Sequence, residues 1–126
     1  MEFTVSTDAR LDVVDVTDRV AAAVEGEGEV EGTATVFVDH TTAGVVINEA
    51  EPRLLEDMRT FLSDLVPDEG WRHDELDGNA DSHLRAMLLG PSATVPVVDG
   101  EPELGRWQSV LLVECDGPRE RTVRVV

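Results

Sequence analysis

The stretch Val36-Phe37-Val38-Asp39-His40-Thr41-Thr42-Ala43-Gly44-Val45-Val46-Ile47-Asn48-Glu49 decides how the chain is read. Its β-branched and aromatic runs, Val36–Val38 and Val45–Ile47, predict two strands joined by a polar segment. Counting by twos, Ala34, Val36, Val38 and His40 share one face of an extended chain, so His40 sits at the rim of an apolar surface. Asn48 and Glu49 mark the other rim. The plain reading makes His40 a hydrogen-bonded rim residue, Thr41 and Thr42 a turn, and Glu49 a bias toward the start of the next helix. The functional reading makes all five a set of ligand-facing groups at the edge of a core.

The rest of the chain weighs between these. Its 126 residues suit a single domain, 1–126, and 41% hydrophobic content with clear patterning argues against disorder. No apolar run is long enough to span a bilayer, and Met1-Glu2-Phe3-Thr4 lacks the basic and apolar regions of a signal peptide, so a cytoplasmic location is expected. Ten basic residues against 27 acidic ones give a net charge of −17, and all ten are Arg. Such a field repels nucleic acid and anionic membranes, and neither is expected as a partner. A strongly acidic, Lys-free surface also suits a halophilic, high-salt setting in which charge is screened over a few Å. Cys115 is the sole cysteine, which excludes an intrachain disulfide and a Cys-based zinc motif. Its apolar neighbours mark it as a small core residue.

Phe3–Val5 and Leu11–Val16 read as two strands of a hairpin around Thr7-Asp8, followed by a short helix capped by Thr17 or Asp18. Glu25-Gly26-Glu27-Gly28-Glu29 reads as an exposed acidic loop. Pro52 then opens the clearest helix, with Leu54, Leu55, Met58, Phe61, Leu62 and Leu65 as a continuous core-facing stripe and Pro67 as its stop. A polar loop, Trp71–Asn79, precedes a second helix from Ser82 to Leu89, capped by Asn79 or Asp81 and closed by Gly90-Pro91. Pro96 predicts an edge or bulged strand over Ala93–Val98. Arg106–Cys115 is apolar on both faces, as a covered central strand must be, and Gln108 and Glu114 within it require partners if buried. A turn at Asp116-Gly117-Pro118 leads to a closing strand in which Arg119, Arg121, Val123 and Val125 share a face.

All three histidines, His40, His73 and His83, fall at polar junctions beside Asp, Glu, Asn or Thr. His83, in the first turn of its helix, is more comfortable neutral than charged, the state a metal ligand needs. Three converging imidazoles would make a facial site for zinc or a similar divalent ion with an open position. Spacing leaves this open against three unrelated surface histidines. A Ser-His nucleophile is disfavoured, because Ser82 and His83 are helix neighbours and cannot face one another.

The ordered segments His40-Thr41-Thr42-Ala43-Gly44, Asn48-Glu49, His73-Asp74, Asp81-Ser82-His83-Leu84, Gly90-Pro91-Ser92, Leu104-Gly105-Arg106-Trp107-Gln108 and Glu114–Arg119 resemble the YjbQ-like family of secondary thiamine-phosphate synthases over nearly the whole chain. The resemblance implies an α+β fold, a β-sandwich-like core of mostly antiparallel strands with two main helices, assembled as a homotrimer. It implies a metal-associated pocket built from His40, His73 and His83, holding zinc or alternatively magnesium. The implied reaction joins a hydroxymethylpyrimidine diphosphate to a thiazole phosphate. Glu49, Asp74 and Arg119 are the candidate catalytic residues. Thr41, Thr42, Asn48, Ser82, Trp107, Gln108 and Arg121 are the candidate substrate ligands. The alternatives are a metal-dependent hydrolase of a small phosphorylated metabolite, with Glu49 or Asp74 as base, and a non-catalytic trimeric binding protein.

Overall fold

The apolar run at residues 110–113 is covered on both faces, and the remaining layers follow from it. The computed structural model describes residues 1–28 and 30–126. The chain order is β1 (Glu2–Ser6), β2 (Asp12–Asp15), α1 (Thr17–Glu27), β3 (Gly32–Val38), β4 (Ala43–Asn48), α2 (Pro52–Leu65), a 3-10 turn (Arg72–Glu75), α3 (Ala80–Leu89), β5 (Ser92–Val98), β6 (Glu101–Pro102), β7 (Ser109–Glu114) and β8 (Glu120–Val125). One sheet has the order β1-β8-β3-β5-β6 and the other β2-β7-β4, with every pairing antiparallel. Alternation along β7 sends Val110 and Leu112 toward the five-stranded sheet, where they join Val36, Val38, Val123 and Val125. Leu111 and Val113 face the other way, into a second cluster with Val13, Cys115 and Leu62 of α2. The small sheet is therefore a middle layer between the large sheet and α2. The result is an α+β molecule with the expected sandwich-like core.

Three local expectations change. The first two strands are not a hairpin: β1 pairs with β8 and β2 with β7, so residues 7–11 cross from one sheet to the other. The first helix runs to Glu27, through most of the stretch read as a loop, and Gly28 ends it in the left-handed region; Glu29 lies outside the described residues. Its start is held by Asp15, whose side chain accepts from the Thr17 amide and hydroxyl, and not by a Thr17 or Asp18 cap. The α2 stripe is only partly core. Leu62 is buried, whereas Phe61 and Leu65 are exposed.

Other expectations are met, apart from the placing of β5. Pro52 occupies the first turn of α2, where Glu51 caps the helix by accepting from the Leu54 amide. Arg53, bonded to the Glu51 carboxylate, helps hold that group below its usual pKa. Strand β5, expected at an edge or bulged, is instead second from the edge: among the described residues the two-residue β6 lies outside it and pairs at Val97 and Val98. Asp99 and Gly100, both at positive φ, make the two-residue turn between them. None of the described helices is long and apolar enough to cross a membrane.

Candidate functional site

Two devices hold the His40 end of the molecule. Glu114, at the end of β7, and Arg121, at the start of β8, are fully buried and paired. Arg121 Nε donates to Glu114 Oε1 at 2.8 Å, and its guanidinium also donates to the Thr42 hydroxyl at 2.8 Å and the Thr42 carbonyl at 3.1 Å. Thr7 adds a 2.8 Å bond to the same carboxylate. This answers the expectation that Glu114 needs a partner, and it fixes Thr42 and the adjacent His40-Thr41. It also removes Arg121 and Thr42 from the set of open substrate ligands, because both side chains are buried and engaged. The second device is the close approach of α3 to β4. A Cβ on Gly44 would lie 2.8 Å from both the Gly90 carbonyl oxygen and Leu89 Cβ, so only glycine admits the helix at this distance. The Gly90 and Pro91 carbonyls accept from Val45 of β4 and Val38 of β3.

Helix α3 is anchored from beneath by Arg85 and Asp81, both buried and paired with each other. Arg85 donates to the carbonyls of Leu62, Ser63 and Val66, closing the C-terminal end of α2, and Arg10 reaches Asp81 at 2.8 Å. Arg85 was not singled out in the sequence, although its i, i+4 spacing from Asp81 was a readable signal. The start of α3 is tied down by Asp74, whose carboxylate accepts from the amides of Ala80 and Trp71 at 3.2 Å each. Asp74 thus caps two turns and is engaged by backbone. Asn79 makes no side-chain cap; its amide group donates to Asp116, which also binds Arg119. Arg119 is half exposed, beside the α3 start.

On this frame the histidines come together around α3. The rings of His73 and His83 are 5.0 Å apart and edge-to-face. His83 borders two open clefts, one of about 330 Å³ shared with Trp71, Arg72 and His73, the other of about 360 Å³ shared with His40, Thr41 and Met87. The Nε2 of His73 is buried without a hydrogen bond, as is the hydroxyl of Ser82. His40 differs: its Nε2 accepts from the Thr122 amide at 3.1 Å, so in the neutral ring the proton sits on Nδ1. In this arrangement the Nε2 of His40 is occupied by the backbone, with the Asp39 carboxylate 3.5 Å away. Among the described residues no three His, Cys, Asp or Glu side chains are grouped to share an ion. Two imidazoles, those of His73 and His83, fit as donors.

The remaining candidates lie elsewhere. Asn48 and Ser109 pair at the far end of β4. Glu49, Arg106 and Trp107 line a third cleft there, of about 310 Å³, with the Arg106 guanidinium 4.8 Å from the centre of the indole. Gln108 is exposed and accepts from the Gly105 amide. Five residue steps of antiparallel strand, roughly 17 Å, separate this group from the histidines. Cys115 is buried, and burial together with the adjacent Glu114 raises its thiol to about 12, so it is inert as a nucleophile. Arg72 is the cleft residue that the sequence reading passed over; it was visible only as part of a dense polar loop.

Known proteins share this fold. A protein of Archaeoglobus fulgidus described as a UPF0047 protein is 48% identical over 126 residues, spanning 99% of this chain and 98% of the relative. The crystal structure of a hypothetical protein from Aeropyrum pernix K1 superposes with a TM-score of 0.96 at 48% identity, covering 100% of this chain and 95% of that one. A YbjQ-like protein from Sulfolobus solfataricus gives 0.95 at 41% identity, with 99% and 92% covered. The family model described as "UPF0047 protein YjbQ-like" matches residues 1–126. The chain therefore belongs to the YjbQ-like UPF0047 family.

Proposed function

We propose that the chain is a transferase that forms thiamine phosphate, acting in the pair of clefts on either side of His83. The observation that carries this is the gathering of three histidines, distant in sequence, along one side of α3. The thiazole nitrogen lone pair forms a C–N bond to the methylene carbon of the pyrimidine while the C–O bond to diphosphate breaks. Pyrophosphate leaves with the bonding electrons, and the thiazole nitrogen becomes cationic. The protein's task is to align the two rings and to neutralise the departing diphosphate. His40, with Nε2 occupied, contributes an Nδ1–H donor to a ligand oxygen. Arg119 and Arg72 supply cationic charge at the α3 start.

His73 and His83 are the residues we assign to a divalent ion, and their nitrogen donors favour zinc over magnesium. When bound, such an ion adds positive charge against the leaving diphosphate. We further propose a homotrimer with the site between subunits. Glu49, Asn48, Trp107 and Gln108 sit at the opposite end of β4 from the histidines, too far to meet one small substrate within a single subunit. The exposed Phe61 and Leu65 of α2 support burial against a neighbouring copy.

Purified protein incubated with both phosphorylated precursors and zinc or magnesium should yield thiamine phosphate and pyrophosphate. His83→Ala should lower the rate at least tenfold while its circular dichroism stays that of the wild type. Failure of the wild type to form thiamine phosphate with either ion removes the proposal; release of inorganic phosphate instead would indicate a hydrolase.

A further inference from the structure

We infer that the cleft beside Trp71 and Arg72 is the half of the site that takes a planar heteroaromatic ring bearing a phosphate or diphosphate, leaving the His40 cleft to the uncharged part of the second substrate. The assignment of halves rests on the transferase reading; the ligand chemistry of the cleft does not. Arg72 is the first observation. In a chain with 27 acidic residues and ten Arg, Arg10, Arg53, Arg85, Arg119 and Arg121 are each held by a carboxylate. Among the described residues Arg59, Arg72, Arg106 and Arg124 make neither an ion pair nor a hydrogen bond; Arg106 lies over the Trp107 indole in the cleft at the far end of β4, and of the four Arg72 is the one lining a cleft that His83 borders. An unpaired guanidinium is a fork suited to two phosphate oxygens, and no carboxylate competes for it.

Trp71 is the second observation. Its Nε1 donates to the Pro67 carbonyl at 2.8 Å and its amide donates to Asp74, so the indole is fixed while still 38% exposed on the cleft. A held, half-exposed indole offers a stacking surface to any π-face. The third is the buried Nε2 of His73, which has no hydrogen bond and whose nearest carboxylate oxygen, on Asp77, is 3.5 Å away. An unsatisfied nitrogen in this wall marks the cleft as lacking a partner from the chain itself. The neighbouring cleft differs in kind: its walls are His40, Thr41, Ala43, Ala86, Met87 and Pro91 beyond the shared His83, with no guanidinium. Charge therefore assigns the anion to the Trp71 side.

The test is titration with an aminopyrimidine-methyl diphosphate and, separately, with inorganic pyrophosphate, followed by indole emission and by calorimetry. The pyrimidine should quench emission in the wild type and not in Trp71→Phe. Arg72→Gln should weaken both ligands at least tenfold with an unchanged circular dichroism spectrum. Unaltered affinity in Arg72→Gln, equal quenching in Trp71→Phe, or absence of binding would each overturn the assignment. Quenching without product formation would sink the transferase and leave this cleft a ligand site. Undiminished product formation by Arg72→Gln and Trp71→Phe would do the reverse.

Discussion

Replacing Arg121 with Met strands the Glu114 carboxylate in the core, where Thr7 and the Asp116 amide are its only other partners among the described residues. Breaking one side of a buried ion pair costs about 3–5 kcal/mol. The double variant Arg121→Met/Glu114→Gln should recover much of that loss, as urea denaturation of the three proteins would show; equal losses in single and double variants would mean the pair matters only through packing. Both halves of this pair were visible in the sequence. Glu114 interrupted a buried strand face, and Arg121 shared a face with Val123 and Val125. What periodicity does not carry is which residues meet across two sheets, so Arg121 read as a substrate ligand. The same gap explains His40, whose backbone partner comes from β8, whereas the partners of Asp74 are the nearby amides of Trp71 and Ala80.

At the level of elements, the seating of α3 on β4 depends on one missing methyl group. Gly44→Ala places a Cβ against backbone and a Cβ that cannot swing away, and overpacking of this kind costs about 1–3 kcal/mol. A lowered melting temperature with displaced amide NMR signals in α3, His83 included, is the expected result; an unshifted α3 would show that the contact relaxes elsewhere. The strands and the bounds of α2 were legible because alternation and helical stripes are local. The pairing of β1 and β2 was not. Adjacent strands usually pair, and nothing in residues 7–11 announces a crossing between sheets. The α2 stripe misled in another way, since a sequence pattern shows an apolar face but not whether its own chain covers all of it.

For the whole molecule, the expected influence on stability is charge. A net charge of −17 on 126 residues repels itself, and the Debye length falls from about 10 Å at 0.1 M salt to about 3 Å at 1 M. Raising potassium chloride across that range should raise the melting temperature steadily. The buried Glu114–Arg121 and Asp81–Arg85 pairs, remote from mobile ions, should leave the slope unchanged when substituted. A melting temperature indifferent to salt would contradict a halophilic reading. Composition gives the charge directly, whereas the site needed the fold: His40 and His83 are 43 positions apart and share a cleft only because α3 lies on β4.

The linker that follows α3 has a mechanical meaning. Its consecutive carbonyls, on Gly90 and Pro91, bind one strand from each sheet, β4 and β3. Two layers joined elsewhere by apolar packing and by the buried Glu114–Arg121 pair are also riveted there, at the rim where His40 stands. Shear between the layers would have to tear both rivets at once, so the floor beneath that rim behaves as a single plate.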